Sequence, residues 1–106
     1  MARVSHLPHA LAFSLFQSKG VQKLSRLSIN ASNPSIRDLS RLSKSDPKLW
    51  ADILLSNKKE IIHALTEHES AVRLLKKALI SNHTHAIEKF IKQANDISRK
   101  LAPKIS

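Results

Sequence analysis

The stretch that decides the fold is residues 45–80, which read SDPKLWADILLSNKKEIIHALTEHESAVRLLKKALI. It opens with three helix-start signals: the hydroxyl of Ser45 can act as the N-cap, Asp46 places an acid in the first turn, and Pro47 occupies a position that tolerates proline. Apolar side chains then recur every three or four residues, and neither glycine nor proline occurs from Lys48 to Ile80. The pattern predicts one long helix of roughly 50 Å.

A final helix is predicted after a short break. Ser81, Asn82 and His83 interrupt the apolar pattern, and Thr84 can cap a helix that Pro103 ends. The apolar positions of this helix are Ile87, Phe90, Ile91, Ala94, Ile97 and Leu101. Two helices with so short a connection form an antiparallel hairpin, so the predicted class is all-α. Because the long helix exceeds what a small domain can cover, we expect it to meet a partner.

The first part of the chain is predicted to be helical but less regular. An apolar stripe on residues 5–16 indicates a helix, with Pro8 in its first turn. Residues 20–45 are rich in Ser, Asn and Arg, which favours short helices with an irregular connection, and residues 35–42 have the pattern of one such helix. The turn signals in this region are Asn30, Asn33 and Pro34.

Length and composition exclude several classes of protein. A chain of 106 residues is expected to form one domain. With Gly20 as its single glycine, it has neither a Rossmann fingerprint nor a P-loop. The absence of cysteine excludes disulfides and cysteine-ligated zinc and suits a reducing compartment, so we expect a cytoplasmic protein. The apolar runs are too short for a membrane span.

The formal charge of +10 raises the alternative of a basic helical module that binds nucleic acid or another protein. Such a module would need its basic residues to converge on one surface. The candidates are Lys58, Lys59, Arg73, Lys76 and Lys77. Since basic residues are spread along the chain, with acids interspersed on the later helices, a solvated basic surface is the favoured interpretation.

Histidines are the first candidates for chemistry. His6 and His9 lie three residues apart, as a metal-binding pair can, and His83 and His85 form a second pair. Neither pair has a third ligand nearby in the sequence, so no metal site is expected. In an otherwise apolar helix, His9 must find a hydrogen-bond partner or a ligand.

A second group of candidates follows on residues 38–50. The guanidinium of Arg41 is either a surface charge or a planar fork that binds a carboxylate, and Ser45 and Trp50 follow at spacings that could complete one pocket. Trp50 can equally be an anchor in the core, and Asp38 by itself is an ordinary solvated acid. With no nucleophile and base paired, these residues are typical of a binding or assembly module.

Two motifs resemble a known enzyme family. Residues 4–13, VSHLPHALAF, resemble the helix that opens the C-terminal domain of prephenate and arogenate dehydrogenases, where an SHLPH motif precedes small and apolar residues. Residues 37–50, RDLSRLSKSDPKLW, are similar to the family signature FRD-x-TRIA-x-SDP-x-x-W. The similarity continues through residues 51–58 and covers nearly the whole chain. Residues 1–106 therefore resemble the dimerisation and substrate-binding domain of this family.

The resemblance implies an oxidoreductase of tyrosine biosynthesis. In that family a Rossmann domain that binds NAD or NADP comes first, and the helical domains of two subunits intertwine to form a homodimer. The complete enzyme decarboxylates prephenate oxidatively to 4-hydroxyphenylpyruvate, or arogenate to tyrosine, and tyrosine could occupy the same pocket. Because these residues lack the Rossmann domain, we expect no cofactor in this chain and no activity from it alone.

The resemblance also implies a substrate-binding set. Its members are Arg41, His9, Ser45, Trp50, Asp38 and His6. Arg41 is implied to pair with a substrate carboxylate, His9 to hold the substrate, and His6 to support the pocket from behind. Asp38 is implied to reach the pocket of the other subunit, and the remaining two line the pocket. The family's catalytic histidine belongs to the N-terminal domain, so no catalytic residue is expected here.

Overall fold

The computed structural model describes the backbone of residues 6–26 and 34–101 and the side chains of residues 6–23 and 36–101. All regular secondary structure within these ranges is helical, which confirms the all-α class. The helices are α1 (Leu7–Leu15), α2 (Lys19–Arg26), α3 (Pro34–Ser43), α4 (Pro47–Ser56), α5 (Lys58–Ile80) and α6 (Thr84–Lys100).

The first helices follow the sequence pattern. α1 has its proline in the first turn, as predicted, and the residue that it buries most deeply is Ala12, which is 1% exposed. Small side chains on this helix let a neighbour approach closely, and α3 lies against α1. Pro34, expected as a turn signal, is the first residue of α3. The other two turn signals, Asn30 and Asn33, lie outside the described residues.

The prediction of a single long helix over residues 48–80 is wrong in one respect, because this segment is divided at Asn57 into α4 and α5. Asn57 has φ −118° and ψ 33°, outside the helical region. Its side-chain amide donates to the carbonyl oxygen of Ile53 at 3.1 Å, and its own carbonyl accepts from the N–H of Ile61 at 2.9 Å. One helix therefore ends and the next begins within a single residue. α5 keeps 23 residues, or roughly 35 Å.

Both predicted N-caps are shifted by one residue. The cap of α4 is Asp46, whose carboxylate accepts from the N–H of Leu49 at 2.9 Å, whereas the hydroxyl of Ser45 donates to a carbonyl of α3's last turn. The cap of α6 is His83 rather than Thr84, and its Nδ1 accepts from a backbone N–H at 3.1 Å. In each case the capping residue is the last one with non-helical backbone, which is where a side chain can reach the free N–H groups.

The chain divides into two compact units, Met1–Thr66 and Glu67–Ser106. The first unit buries small or aliphatic side chains, among them Ile61 at 5% exposure. In the second, the end of α5 and α6 are joined by a turn at Asn82, which has a left-handed φ of 52°, and Ala78 of α5 lines one groove with Phe90 of α6, as in the predicted hairpin. The expectation of one domain over residues 1–106 stays a prediction. None of the helices in the described ranges is long and apolar enough to cross a bilayer.

Candidate ligand site

The candidate site is built around Trp50, the single tryptophan, on the first turn of α4. The imidazole of His9, from α1, stacks on the indole with the ring centroids 3.9 Å apart and the planes 14° from parallel. Both residues are half-buried. This stack packs the face of the imidazole against the indole, and the ring nitrogens of His9 keep their hydrogen-bonding capacity in the plane of the ring.

Two more rings contact the same indole, one from Phe13 of α1 and one from His6, the N-cap residue of that helix. His6 meets Trp50 nearly at right angles, with centroids 5.7 Å apart, and Phe13 does so at 6.1 Å. His6, His9 and Phe13 lie at i, i+3 and i+7, so one face of α1 carries all three. We call these three residues and Trp50 the ring cluster. Edge-to-face contacts complement the stacked pair, since ring edges are positive and ring faces are negative.

Asn57 connects the break between α4 and α5 to the ring cluster. Its Nδ2 lies 3.2 Å from Nδ1 of His6, and it also donates to the carbonyl oxygen of Ile53. The sequence analysis did not select Asn57 or Phe13 as site residues. A signal existed for both: Phe13 is one helical turn after His9, and Asn57 is seven residues after Trp50.

The other predicted site residues lie on α3 and in the turn that follows it. The guanidinium of Arg41 and the carboxylate of Asp38 are 3.8 Å apart, and each side chain is 77% exposed. An exposed pair one turn apart on a helix contributes little to stability, so a ligand carboxylate can compete for the guanidinium. Ser45 is half-buried, and its hydroxyl donates to the carbonyl oxygen of Leu42 at 2.8 Å.

The structure thus brings three of the six predicted site residues, His6, His9 and Trp50, into direct contact. Arg41 and Asp38 contact each other, on the helix that packs against α1. No group of three metal-ligating side chains exists among the described residues. Chemically, the arrangement offers a wall of stacked rings, on which a planar or unsaturated ring can pack, together with an exposed guanidinium on α3 that can bind an anion.

Comparison with known proteins places the chain in a family. Residues 1–93 match the family model described as prephenate dehydrogenase, dimerization domain. The chain is also 36% identical over 83 residues to a cyclohexadienyl dehydrogenase of Zymomonas mobilis, an alignment that covers 76% of this chain and 28% of that protein. No solved structure matches it.

Two further relatives carry the name prephenate dehydrogenase. The protein of Lactococcus lactis is 27% identical over 100 residues, covering 93% of this chain and 28% of the relative. The protein of Bacillus subtilis is 29% identical over 94 residues, covering 88% of this chain and 25% of the relative. The chain therefore spans between a quarter and a third of the length of the relatives that it matches. It belongs to the prephenate dehydrogenase dimerization domain family.

Proposed function

We propose that this chain is the dimerising, substrate-binding part of a prephenate or arogenate dehydrogenase of tyrosine biosynthesis. The observation that carries the proposal is the ring cluster, in which the two sequence motifs meet: His6 and His9 come from the first motif and Trp50 ends the second. Relatives named prephenate dehydrogenase and cyclohexadienyl dehydrogenase support the assignment. None of the comparisons supports a nucleic-acid-binding function.

In this proposal the substrate's ring packs beside the stacked His9 and Trp50. The exposed guanidinium of Arg41 binds a substrate carboxylate in bidentate fashion. Asp38, which pairs with Arg41 in the chain without ligand, then contacts the pocket of the other subunit. Loss of the Arg41–Asp38 ion pair costs little free energy because both side chains are exposed. Ser45 lines the pocket, and tyrosine, which shares the ring and a carboxylate, is a candidate for the same place.

In the complete enzyme that we propose, NAD or NADP would supply the hydride acceptor for the oxidation of the substrate. These 106 residues have neither a glycine-rich loop nor a paired nucleophile and base, so we assign cofactor binding and hydride transfer to other residues of the enzyme. We expect these 106 residues alone, mixed with prephenate, to reduce neither NAD nor NADP. A rise in the absorbance of the reduced nicotinamide would contradict this. The cytoplasmic location stays a prediction.

The partner that we propose is a second copy of the chain. Phe90 and Ile97 of α6 and its C-cap residue Leu101 lie at i, i+7 and i+11 and so share one face. Ile97 is 57% exposed and Leu101 is 77% exposed. Phe90 also lines a groove together with Leu74 and Ala78 of α5. Exposed aliphatic side chains that continue an apolar groove are typical of a subunit interface, and the family model describes a dimerization domain.

Ligand binding is the test of this function. Since the chain has one tryptophan and no tyrosine, its intrinsic emission reports on Trp50 alone. We expect prephenate to change this emission, and Arg41→Ala to raise the dissociation constant by about 10- to 100-fold, which corresponds to one charged hydrogen-bonded pair. The measurement is a fluorescence titration at constant salt.

Arg37→Ala is the matched control, because Arg37 is also exposed on α3 and its removal lowers the net charge equally. We expect it to change the dissociation constant less than two-fold, roughly the effect of one distant screened charge. If both variants weakened binding equally, Arg41 would act only through general charge. If prephenate left the emission of the wild-type chain unchanged, the proposed function would be wrong for this site.

A further inference from the structure

We propose that Asn57 is a positioning residue that holds His6 as its Nε2–H tautomer against Trp50. This inference deepens the proposed function, on which its consequence for ligand binding rests. The assignment of the tautomer itself depends only on hydrogen-bond geometry. Asn57 lies at the junction of α4 and α5 and contacts His6, which is 51 residues away in sequence.

The first step of the argument is the direction of the bond to His6. Nδ2 of Asn57 is an amide nitrogen, which donates and does not accept. At 3.2 Å from it, Nδ1 of His6 must therefore be the acceptor. A neutral imidazole with an accepting Nδ1 carries its hydrogen on Nε2. His6 consequently presents a donor at the opposite edge of its ring.

The second step is the orientation of the amide, which Ile53 determines. The same Nδ2 donates to the carbonyl oxygen of Ile53 at 3.1 Å, and a backbone carbonyl can only accept. Rotating the amide by 180° would place Oδ1 of Asn57 against that oxygen, leaving two acceptors face to face. Both hydrogens of the amide are thus used, one for each partner, and the direction of the bond to His6 follows from a backbone group.

The third step is the position of Asn57 in the fold. Its non-helical backbone ends α4, and its carbonyl receives the N–H of Ile61 in the first turn of α5. The residue is half-buried between these helices and His6. A side chain held at the backbone in this way places the imidazole of His6 edge-to-face with Trp50, at a centroid distance of 5.7 Å. The indole of Trp50 also stacks on the imidazole of His9.

The test is the tautomer of His6, read from long-range ¹H–¹⁵N correlations of the ¹⁵N-labelled 106-residue chain without ligand, at alkaline pH where imidazoles are neutral. A His6→Gln spectrum identifies the resonances. We expect the Nε2–H form in the wild type. In Asn57→Asp the introduced carboxylate can only accept, so we expect His6 to change to the Nδ1–H form. A wild-type His6 in the Nδ1–H form, or a variant that keeps the Nε2–H form, would overturn the proposal.

Two controls separate this effect from a general loss of structure. His83 also has an accepting Nδ1, in its bond from the N–H of Ala86, and its tautomer should be the same in every variant. Ser56→Ala removes a comparable bond from the end of α4, the 2.8 Å contact of the hydroxyl with the carbonyl of Asp52, and should leave His6 unchanged. If circular dichroism shows that Asn57→Asp is unfolded, Asn57→Ala replaces it. Because a free neutral imidazole already favours the Nε2–H form, the measurement there is the ¹⁵N shift of Nδ1 of His6, and a shift equal to that of the wild type would contradict the proposal.

The ligand measurement is separate. We expect Asn57→Asp to raise the dissociation constant for prephenate by about ten-fold, the effect of one misplaced hydrogen-bonding group, whereas Ser56→Ala should not. A wild-type chain that binds no prephenate would contradict the proposed function, and the tautomer would still be decided by the spectra. Unchanged affinity in a folded Asn57→Asp chain whose His6 tautomer has changed would overturn the positioning role.

Discussion

The ring cluster of α1 and α4 and the hairpin of α5 and α6 use apolar side chains in opposite ways. In the first region four rings pack on one another, centred on a half-buried Trp50. In the second, the most buried side chain among the described residues from Glu67 onward is Ala78, at 9% exposure, while Ile97 and Leu101 are mostly exposed. One region provides its own packing. The other leaves most of its large aliphatic side chains exposed to solvent.

The difference indicates where each region derives its stability. Rings that contact each other across α1 and α4 stabilise the folded chain at any concentration. Aliphatic side chains at the surface of a hairpin stabilise it only when a partner removes them from water, so their contribution depends on concentration. We therefore expect substitutions in the first region to change the unfolding of the chain, and substitutions in the second to change its association.

The largest effect is expected from Ile97→Lys. A charge placed on the exposed apolar face of α6 would have to be desolvated without a partner in the dimer, so we expect the dimer dissociation constant to rise about 100-fold. Light scattering coupled to size exclusion, over a series of concentrations, measures it. Asn95→Lys adds the same charge on roughly the opposite face of α6 and should leave association nearly unchanged. If Ile97→Lys and Asn95→Lys weakened association equally, this face of α6 would not be the interface.

An intermediate effect is expected from Trp50→Ala. Loss of the indole leaves His6, His9 and Phe13 without their common partner, and we expect the free energy of unfolding to fall by about 2 kcal/mol, less than for a fully buried tryptophan. Urea unfolding followed by circular dichroism, at one protein concentration, measures this. Trp50→Phe retains an aromatic ring and should lose less than half as much. If the two variants were equally stable, ring packing would not stabilise this region.

The smallest effect is expected from Asp46→Ala, which removes the N-cap of α4. We expect a loss of about 1 kcal/mol in the same unfolding experiment. Ser45→Ala is the informative comparison, because that hydroxyl donates to the carbonyl of Leu42 and does not cap the helix. It should cost about half as much or less. If Ser45→Ala lowered the free energy of unfolding more than Asp46→Ala did, Ser45 would be the cap.

Much of the fold could be predicted from the pattern of residues. The helix with Pro8, the helix after Pro34 and the C-terminal hairpin all have signals within a few residues of where they begin or end. The predicted cap of α4 is one residue away from the observed one because Ser45 and Asp46 are both good cap residues and stand side by side. Only the backbone angles at Asp46, which is extended at φ −61° and ψ 123°, decide that Asp46 and not Ser45 caps the helix.

The division of the long helix could not be predicted in this way. Residues 48–80 contain no glycine or proline, and Asn57 alone is a weak breaker. Its side chain bonds to Ile53, four residues away, and to His6, 51 residues away. The second contact exists only after α1 has packed beside α4. A break that depends on a distant partner leaves no local signal.

The sequence by itself determined that the chain is helical, where most helices begin and end, and which family its two motifs belong to, because periodicity, capping residues and motifs are local properties of the chain. Only the tertiary structure decided that His9 stacks on Trp50, that Asn57 directs the hydrogen bond to His6, and which aliphatic side chains remain exposed. Those facts depend on distances between segments that are far apart in sequence, and packing alone sets such distances.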